Sequence, residues 1–100
     1  TPDSKYLYVV NQGYYFDLPK GNNIYRINIA EKQVAQNIPT GDAPHGVVVD
    51  GMGKFAYVTN LISDDMSIVD TYTGKEVARI RVGNMPNGIS IWNKKLGGTR

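Results

Sequence analysis

Internal repetition constrains the fold of this chain more than any other feature of its sequence. Three pairs of segments match: Lys5–Asn11 with Lys54–Asn60, Ile24–Asn28 with Met66–Asp70, and Gly41–Gly46 with Gly83–Gly88. The first pair is separated by 49 positions and the other two pairs by 42. This change places a seven-residue insertion between Asn11 and Ile24. The 100 residues therefore contain two copies of a unit of about 42 residues, and the first copy has an enlarged loop.

Each copy consists of short apolar segments that are typical of β-strands. Runs rich in Val, Ile and Tyr alternate with Gly, Pro, Asn and Asp, and no apolar period of about 3.6 residues is sustained. Eight strands are predicted, near residues 5–11, 24–29, 33–39, 45–50, 54–60, 65–70, 76–82 and 87–92.

Four segments allow more specific predictions. Tyr6–Val10 is apolar on both faces, which predicts a strand between two layers. The alternation in Val77–Val82 predicts a half-exposed outer strand. Asp70–Lys75 has the Asp and Gly expected of a hairpin turn. Trp92 is predicted to lie in the core or at the axis of the fold, and the alternative is a contact that lines the channel.

Four short strands in a unit of about 40–45 residues are typical of one blade of a β-propeller. We therefore predict an all-β chain of two four-stranded antiparallel blades. If the strands are labelled A to D from the propeller axis outward, their order along the chain is B-C-D, A-B-C-D, A. Within a single propeller segment, residues 1–100, repeat 1 covers 1–43, repeat 2 covers 44–85, a closing strand covers 86–92 and a tail covers 93–100.

One motif indicates a particular propeller family. Residues Tyr57–Asn60 read YVTN, and the chain resembles the YVTN β-propeller repeat in this signature and in its surroundings. The similar surrounding segments are Gly53-Lys54, Ser67–Asp70, Gly74–Gly83, Pro44–Gly46 and Pro86–Gly88. The first copy departs from the pattern at Tyr8–Asn11 and in its insertion. The resemblance covers nearly the whole chain and implies a propeller in the periplasm or at the cell surface; the family's functions are diverse, so no single activity is implied.

A closed propeller needs more blades than this chain supplies. Propellers have about 4 to 8 blades, hence at least about 160 residues. The chain is therefore expected to be part of a longer propeller, or copies of it are expected to assemble into a ring. The first alternative is favoured, because the chain starts without Met inside a strand-rich segment. In both cases its partners are other propeller blades, from the same longer chain or from a homo-oligomer.

The alternation of strand directions predicts that the B–C loops and the D–A turns emerge on one face. The enlarged loop 12–22 and the loop 61–65 both lie there. The candidate ligand-binding residues on this face are Tyr14, Tyr15, Phe16, Asp17, His45 and Asn87. Aromatic rings can stack on a sugar, a base or a side chain, and an imidazole can act as a switch, a base or a ligand. The alternatives are that the rings fold over a neighbouring blade and that His45 is a hydrogen-bonded turn residue.

Metal binding, cofactor binding and catalysis have little support in the sequence. Asp64 and Asp65, with Asp17 on the same face, are the nearest candidates for Ca²⁺ ligands, but no acidic run has EF-hand spacing. There is no Gly-rich phosphate loop, nucleophile elbow or zinc-protease motif, and a single His cannot form a His cluster. We therefore predict no metal, no cofactor and no catalytic residue.

Composition and charge exclude several classes of protein. The absence of cysteine excludes a disulfide framework and a thiolate metal site. The longest apolar run is far shorter than the roughly 20 residues of a membrane helix, so no membrane span is predicted. The formal net charge is +2, and the excess lies mainly at Lys94, Lys95 and Arg100. Three charges in a tail do not form the basic face of a nucleic-acid-binding domain, so this partner is disfavoured.

Three functions are open on these grounds. The favoured one is a non-catalytic scaffold or binding module that presents its loop-rich face to a protein, a glycan or a small ligand. The alternative is the propeller part of a periplasmic redox enzyme or electron-transfer subunit, because YVTN-like propellers resemble those of periplasmic oxidoreductases. The third is single-stranded nucleic-acid binding through the aromatic loop and the basic tail.

Overall fold

The computed structural model describes residues 1–13 and 18–92, and these residues form seven β-strands and no helix. The strands are β1 (Tyr6–Asn11), β2 (Asn23–Asn28), β3 (Gln33–Pro39), β4 (Pro44–Val49), β5 (Phe55–Asn60), β6 (Asp65–Asp70) and β7 (Lys75–Arg81). The first seven predicted strands are confirmed, each to within about one residue at either end.

The strands form two antiparallel sheets in which neighbours in sequence are neighbours in space. The first sheet has the order β1-β2-β3 and the second the order β4-β5-β6-β7. Matched positions of the two copies pair in the same way. Val10 lies opposite Ile24 in the first sheet, and their counterparts Thr59 and Met66 lie opposite each other in the second. Three strands followed by four correspond to the predicted order B-C-D, A-B-C-D.

The core lies where the two sheets face each other. The buried side chains are Tyr8, Ile24 and Ile38 from the first sheet and Ala56, Val58 and Val69 from the second. Within a strand such as β1 the buried side chain alternates with outward-facing ones, because successive residues of a strand point to opposite faces. Burial of one large aliphatic side chain contributes about 1.5–3 kcal/mol. This interface therefore holds the two sheets together.

Positive backbone φ angles recur at matched positions of the two copies. The pairs are Ser4 with Gly53, Lys32 with Gly74, and Ala43 with Met85. In the turn between β6 and β7, the Gly74 N–H donates to Asp70 O at 2.8 Å. Asp70 Oδ1 accepts two further backbone N–H groups of the same turn. The predicted hairpin at 70–75 is confirmed, and Lys32 closes the equivalent turn between β2 and β3.

The eighth predicted strand, 87–92, makes no ladder with either sheet. The segment passes close to Gly46, where an added Cβ would lie 3.0 Å from Asn87 O. Trp92 is 83% exposed, so the prediction of a core or axial position is wrong for this chain. The physical reason is the lack of a partner: the segment was predicted as the inner strand of a further blade, and the described residues contain no strands of that blade with which it could pair.

The two outer surfaces are more exposed than the sequence predicted. In β1, Leu7 and Val9 face away from the interface and are exposed, so the strand is covered on one face and not on both. In β7, Val77 and Ile80 are both exposed, although an alternating burial was expected. Within the described residues each sheet packs against one other sheet, which leaves its second face uncovered.

Gly41, in the connection from β3 to β4, lies where the chain passes over the polar end of the second sheet. An added Cβ would lie 2.6 Å from Asn60 Nδ2 and 2.8 Å from Asp65 Oδ1, so no side chain fits without displacing them. Its counterpart Gly83 has no atom within 4 Å of the same position. The close approach is therefore specific to the contact between the two sheets.

Replacement of Gly41 tests this approach. In the 100-residue chain, we expect Gly41→Ala to lower the free energy of unfolding by about 1–3 kcal/mol, because the methyl group overpacks a buried contact. Gly83→Ala is the matched control and should change it by less than about 0.5 kcal/mol. Urea denaturation measures both values. Equal stability of the two variants would contradict the described position of the connection.

Candidate functional site

The loops at one end of the two sheets form a single hydrogen-bonded surface. Ala43 N–H donates to Gly21 O at 2.7 Å, and Leu61 N–H donates to Ala43 O at 2.8 Å. Val82 N–H donates to Asp64 O at 3.0 Å. The loops between β1 and β2 and between β5 and β6 thus meet the turns after β3 and β7, as strand direction predicts. We call this end the loop face; its described residues are 12–13, 18–22, 40–45, 61–64 and 82–87.

The inserted loop is anchored at its base. Gly21 N–H donates to Gln12 O at 2.6 Å, which closes the stem after β1. Gly13 has a φ of 67°, a left-handed conformation that favours glycine. Gly21 lies against the backbone of Asn11, where a side chain would collide with the main chain. The predicted binding residues Tyr14, Tyr15, Phe16 and Asp17 lie outside the described residues, between the two arms of this stem.

His45 is exposed on the loop face, and its ring is held by the insertion stem. Its Nδ1 lies 2.6 Å from Gln12 Oε1. An amide oxygen can only accept, so in this arrangement Nδ1 carries the proton and donates it. In the neutral ring, Nε2 then has the lone pair. The ring is therefore both a hydrogen-bonded turn residue, one of the two predicted alternatives, and a group that could accept a hydrogen bond from a ligand.

Asn87 comes close to His45 through the neighbouring Gly46. The Gly46 N–H donates to Thr59 Oγ1 at 3.1 Å, and a Cβ added at Gly46 would lie 3.0 Å from Asn87 O. The Asn87 side chain is exposed. Of the predicted binding residues that the structure describes, His45 and Asn87 therefore lie on the same part of the loop face.

An ion pair links the insertion to the next connection. Lys20 Nζ lies 2.9 Å from Asp42 Oδ2, with both side chains partly exposed. Asp42 N–H also donates to Ser63 Oγ at 2.5 Å, which ties the connection to the second sheet. An exposed ion pair contributes at most about 1 kcal/mol. Its effect is mainly to place one positive and one negative group beside the insertion stem.

Asp64 and Asp65 both serve the fold through hydrogen bonds. Asp64, at a φ of 58°, accepts the Met85 N–H at 2.9 Å. Asp65 Oδ1 accepts from Asn60 Nδ2 at 2.7 Å, and its other oxygen lies 3.9 Å from Arg79 Nε. Among residues 1–13 and 18–92, no three His, Asp or Glu side chains are grouped so that they could hold a metal ion.

The sequence analysis did not predict the buried polar network that begins at Asn60. This residue, the Asn of the YVTN segment, is fully buried, and its Nδ2 donates to Asp65 Oδ1 and to Ser67 Oγ, the latter at 2.9 Å. Ser67 in turn donates to Glu76, which pairs with Arg79. The amide thus joins the end of β5 to β6, and the repetition of Asn at this position was the available signal.

The equivalent Asn of the first copy makes a smaller network. Asn11 Nδ2 donates to Asn23 Oδ1 at 2.9 Å, and Asn23 Nδ2 donates to Asn37 Oδ1 at 2.9 Å. Asn11 is only partly buried, whereas Asn60 has no exposed surface. In both sheets this Asn therefore donates a hydrogen bond to the side chain of the first residue of the next strand, and the bond is more deeply buried in the second sheet.

We expect Asn60→Ala to lower the free energy of unfolding by about 1–3 kcal/mol, because two hydrogen bonds are lost at a buried site. Asn11→Ala is the matched control, with an expected loss of about 0.5–1.5 kcal/mol for its single bond. Denaturant midpoints at an unchanged slope measure the difference. A larger loss for Asn11→Ala than for Asn60→Ala would be inconsistent with this account.

A second feature that the sequence analysis missed lies at the opposite end of the sheets. A cavity of about 400 Å³ opens there between the sheets, with Tyr8 and Arg26 in its lining. The two residues are directly opposite each other in β1 and β2. Comparison of the two copies could have indicated this site, because a charged residue, Arg26, stands in the first copy where the second copy has Ile68.

Comparison with solved structures finds the same architecture. The chain is similar to part of hydrazine synthase from Kuenenia stuttgartiensis, with a TM-score of 0.79 and 28% identity over 88% of this chain and 23% of that chain. It is also similar to part of apo AztD from Citrobacter koseri, with a TM-score of 0.63 and 18% identity over 85% of this chain and 22% of that chain. The chain thus spans less than a quarter of the length of either protein.

Both structures are propeller-type proteins, and the two sheets of this chain are partial blades of a β-propeller. No family model and no curated protein matches the chain, so membership of the YVTN family stays a prediction. None of the described residues belongs to a helix that could span a membrane.

Proposed function

We propose that the chain belongs to a non-catalytic β-propeller module that uses its loop face to bind a protein, a glycan or a small ligand. The observation that carries the proposal is the double role of Gln12. Its backbone O closes the base of the inserted loop with Gly21, and its side chain bonds the exposed His45 ring, both at 2.6 Å. One residue thus fixes the stem of the aromatic insertion beside an oriented imidazole.

The surroundings of this pair favour recognition by a preordered surface. Backbone hydrogen bonds join Gly21, Ala43 and Leu61 across the loop face, so the frame is fixed before a partner arrives. Binding to an ordered surface costs less conformational entropy than binding to a flexible one. Loops held by a rigid strand scaffold are also the usual location of recognition residues.

The insertion would supply the contact chemistry. Tyr14, Tyr15 and Phe16 offer aromatic faces that can stack on a sugar ring or an apolar side chain. His45 and Asn87 offer polar groups that can orient such a partner. The insertion occurs in the first copy alone, so the blade architecture does not require it. On the family resemblance, we place the module in the periplasm or at the cell surface, joined to other propeller blades.

The test replaces the aromatic insertion in the full-length protein. We expect the triple substitution of Tyr14, Tyr15 and Phe16 by Ser to reduce binding by more than about tenfold, because aromatic stacking contributes strongly at such contacts. Gln12→Ala should give a smaller loss, since it releases His45 but keeps the rings. Binding is measured on a glycan array and, for protein partners, by cross-linking and mass spectrometry in cells of the source organism.

Val34→Ser is the control, because Val34 is a 59% exposed apolar residue of β3 that lies neither on the loop face nor in the cavity at the other end. Binding should be unchanged in this variant. Equal losses for Val34→Ser and the triple variant would argue against a binding role of the loop face, as would retention of every ligand by the triple variant.

A second function has one observation in its favour, the 28% identity to part of hydrazine synthase. This alternative is a propeller domain of a redox enzyme or electron-transfer subunit. Visible absorption spectra and metal analysis of the purified full-length protein discriminate between the two. The binding-module proposal predicts a colourless protein without stoichiometric metal, whereas a bound chromophore or redox metal would favour the alternative.

A further inference from the structure

At the end opposite the loop face, we propose that the cavity between the two sheets binds a small organic carboxylate, with Arg26 and Tyr8 donating hydrogen bonds to it. The cavity has a volume of about 400 Å³. Tyr8 and Arg26 come from the first sheet, whereas Met52 and Tyr72 come from connections of the second sheet. The proposed site therefore exists only because the two sheets are stacked.

Two buried donors at this cavity have no hydrogen-bond partner. Tyr8 is 8% exposed, and its buried hydroxyl lies beside the Arg26 guanidinium without forming a hydrogen bond of good geometry. Arg26 Nε is buried and unpartnered as well. A buried polar group without a partner costs about 1–3 kcal/mol, and such groups are uncommon in native proteins. A ligand with acceptor oxygens would satisfy both donors at once.

The charge of Arg26 is oriented but not neutralised. One of its terminal nitrogens donates to Thr71 O at 2.6 Å, and its guanidinium carbon lies 4.1 Å from the centroid of the Tyr6 ring. No carboxylate of residues 1–13 or 18–92 forms an ion pair with it. These contacts fix the plane of the guanidinium, whose fork of N–H groups matches the two oxygens of a carboxylate.

The fold itself does not require this pair. Tyr8 lies opposite Arg26 in the first sheet, and the matched residues of the second sheet, Tyr57 and Ile68, lie opposite each other in the same register. A blade therefore forms with an apolar residue at this position. Arg26 places a half-buried charge where the second copy has none, and this difference is explained if the charge serves a ligand.

The ionisation of Tyr8 suits a hydrogen-bond donor. Burial raises the pKa of the Tyr8 hydroxyl above its ordinary value of 10.0, with the nearby Arg26 opposing the rise. The hydroxyl therefore keeps its proton at neutral pH and can donate it to an acceptor.

Asp3 restricts the charge that the cavity accepts. It lies in the exposed part of the lining, and hydrogen bonds from the Thr1 hydroxyl and the Lys5 N–H lower its pKa. A doubly charged phosphate would meet this carboxylate as well as Arg26. A monocarboxylate balances Arg26 with a single charge, and the volume lies near the lower end of ligand pockets, about 300–1,000 Å³. These properties favour a small monocarboxylate over phosphate.

Calorimetric titration of the full-length protein with benzoate tests the proposal, with benzamide and inorganic phosphate as comparison probes. We expect benzoate to bind at least about tenfold more tightly than either probe. Tyr8→Phe removes the hydroxyl and keeps the ring, so benzoate affinity should fall by about tenfold while the melting temperature does not fall. Arg26→Gln should abolish measurable binding.

Tyr57→Phe is the matched control, because Tyr57 is the repeat counterpart of Tyr8 and does not line the cavity; benzoate affinity should be unchanged. Absence of benzoate binding at millimolar concentration, equal affinity for phosphate, or unaltered affinity in Tyr8→Phe would overturn the proposal. So would a crystal grown with benzoate in which only ordered water bridges Tyr8 and Arg26. The stem of the aromatic insertion, closed by Gln12 and Gly21, lies at the other end, so substitutions in the insertion separate this result from the loop-face proposal.

Discussion

The face-to-face contact of the two sheets is the interaction on which the rest of the structure depends. Each sheet is a single layer and cannot bury its own apolar face, so Tyr8, Ile24 and Ile38 need the apolar side chains of the second sheet, among them Val58 and Val69. Once the sheets stack, the groups that meet at each end of the interface are fixed. The connections meet and bond to one another at the loop face, and the cavity opens between the same two sheets at the other end.

The buried polar groups show how differently the two ends are built. At the loop-face end, Asn60 donates two hydrogen bonds through Nδ2 and Gly41 passes over it without a side chain, whereas Asn60 Oδ1 and Gln12 Nε2 are buried without a partner. At the other end, Tyr8 and Arg26 leave donors unpartnered beside a cavity of about 400 Å³. Buried polar groups usually have a partner. The donors that adjoin open volume are therefore the ones that a ligand could reach.

The strand positions were predictable because the same strand pattern occurs in both copies of the repeat. Comparison of matched positions then locates the ends of each strand to within about one residue. The segment 87–92 has the same pattern but remains unpaired, because a strand also needs a ladder partner, which its own residues do not encode. The pairing of Tyr8 with Arg26 was not predictable for a related reason. It depends on the register of β1 against β2 and on the second sheet that encloses both.

The differences between the two copies carry the functional information. Residues that both copies share, such as Asn11 and Asn60, make equivalent bonds and are accounted for by the blade. The insertion after Asn11 and the charge at Arg26 occur in the first copy only, and they lie at opposite ends of the same sheet. The second copy shows that a blade forms without either feature, although Arg26 also donates a hydrogen bond to Thr71 O of the second sheet. The two binding surfaces that we propose, one at each end of the interface between the sheets, are our explanation of both differences.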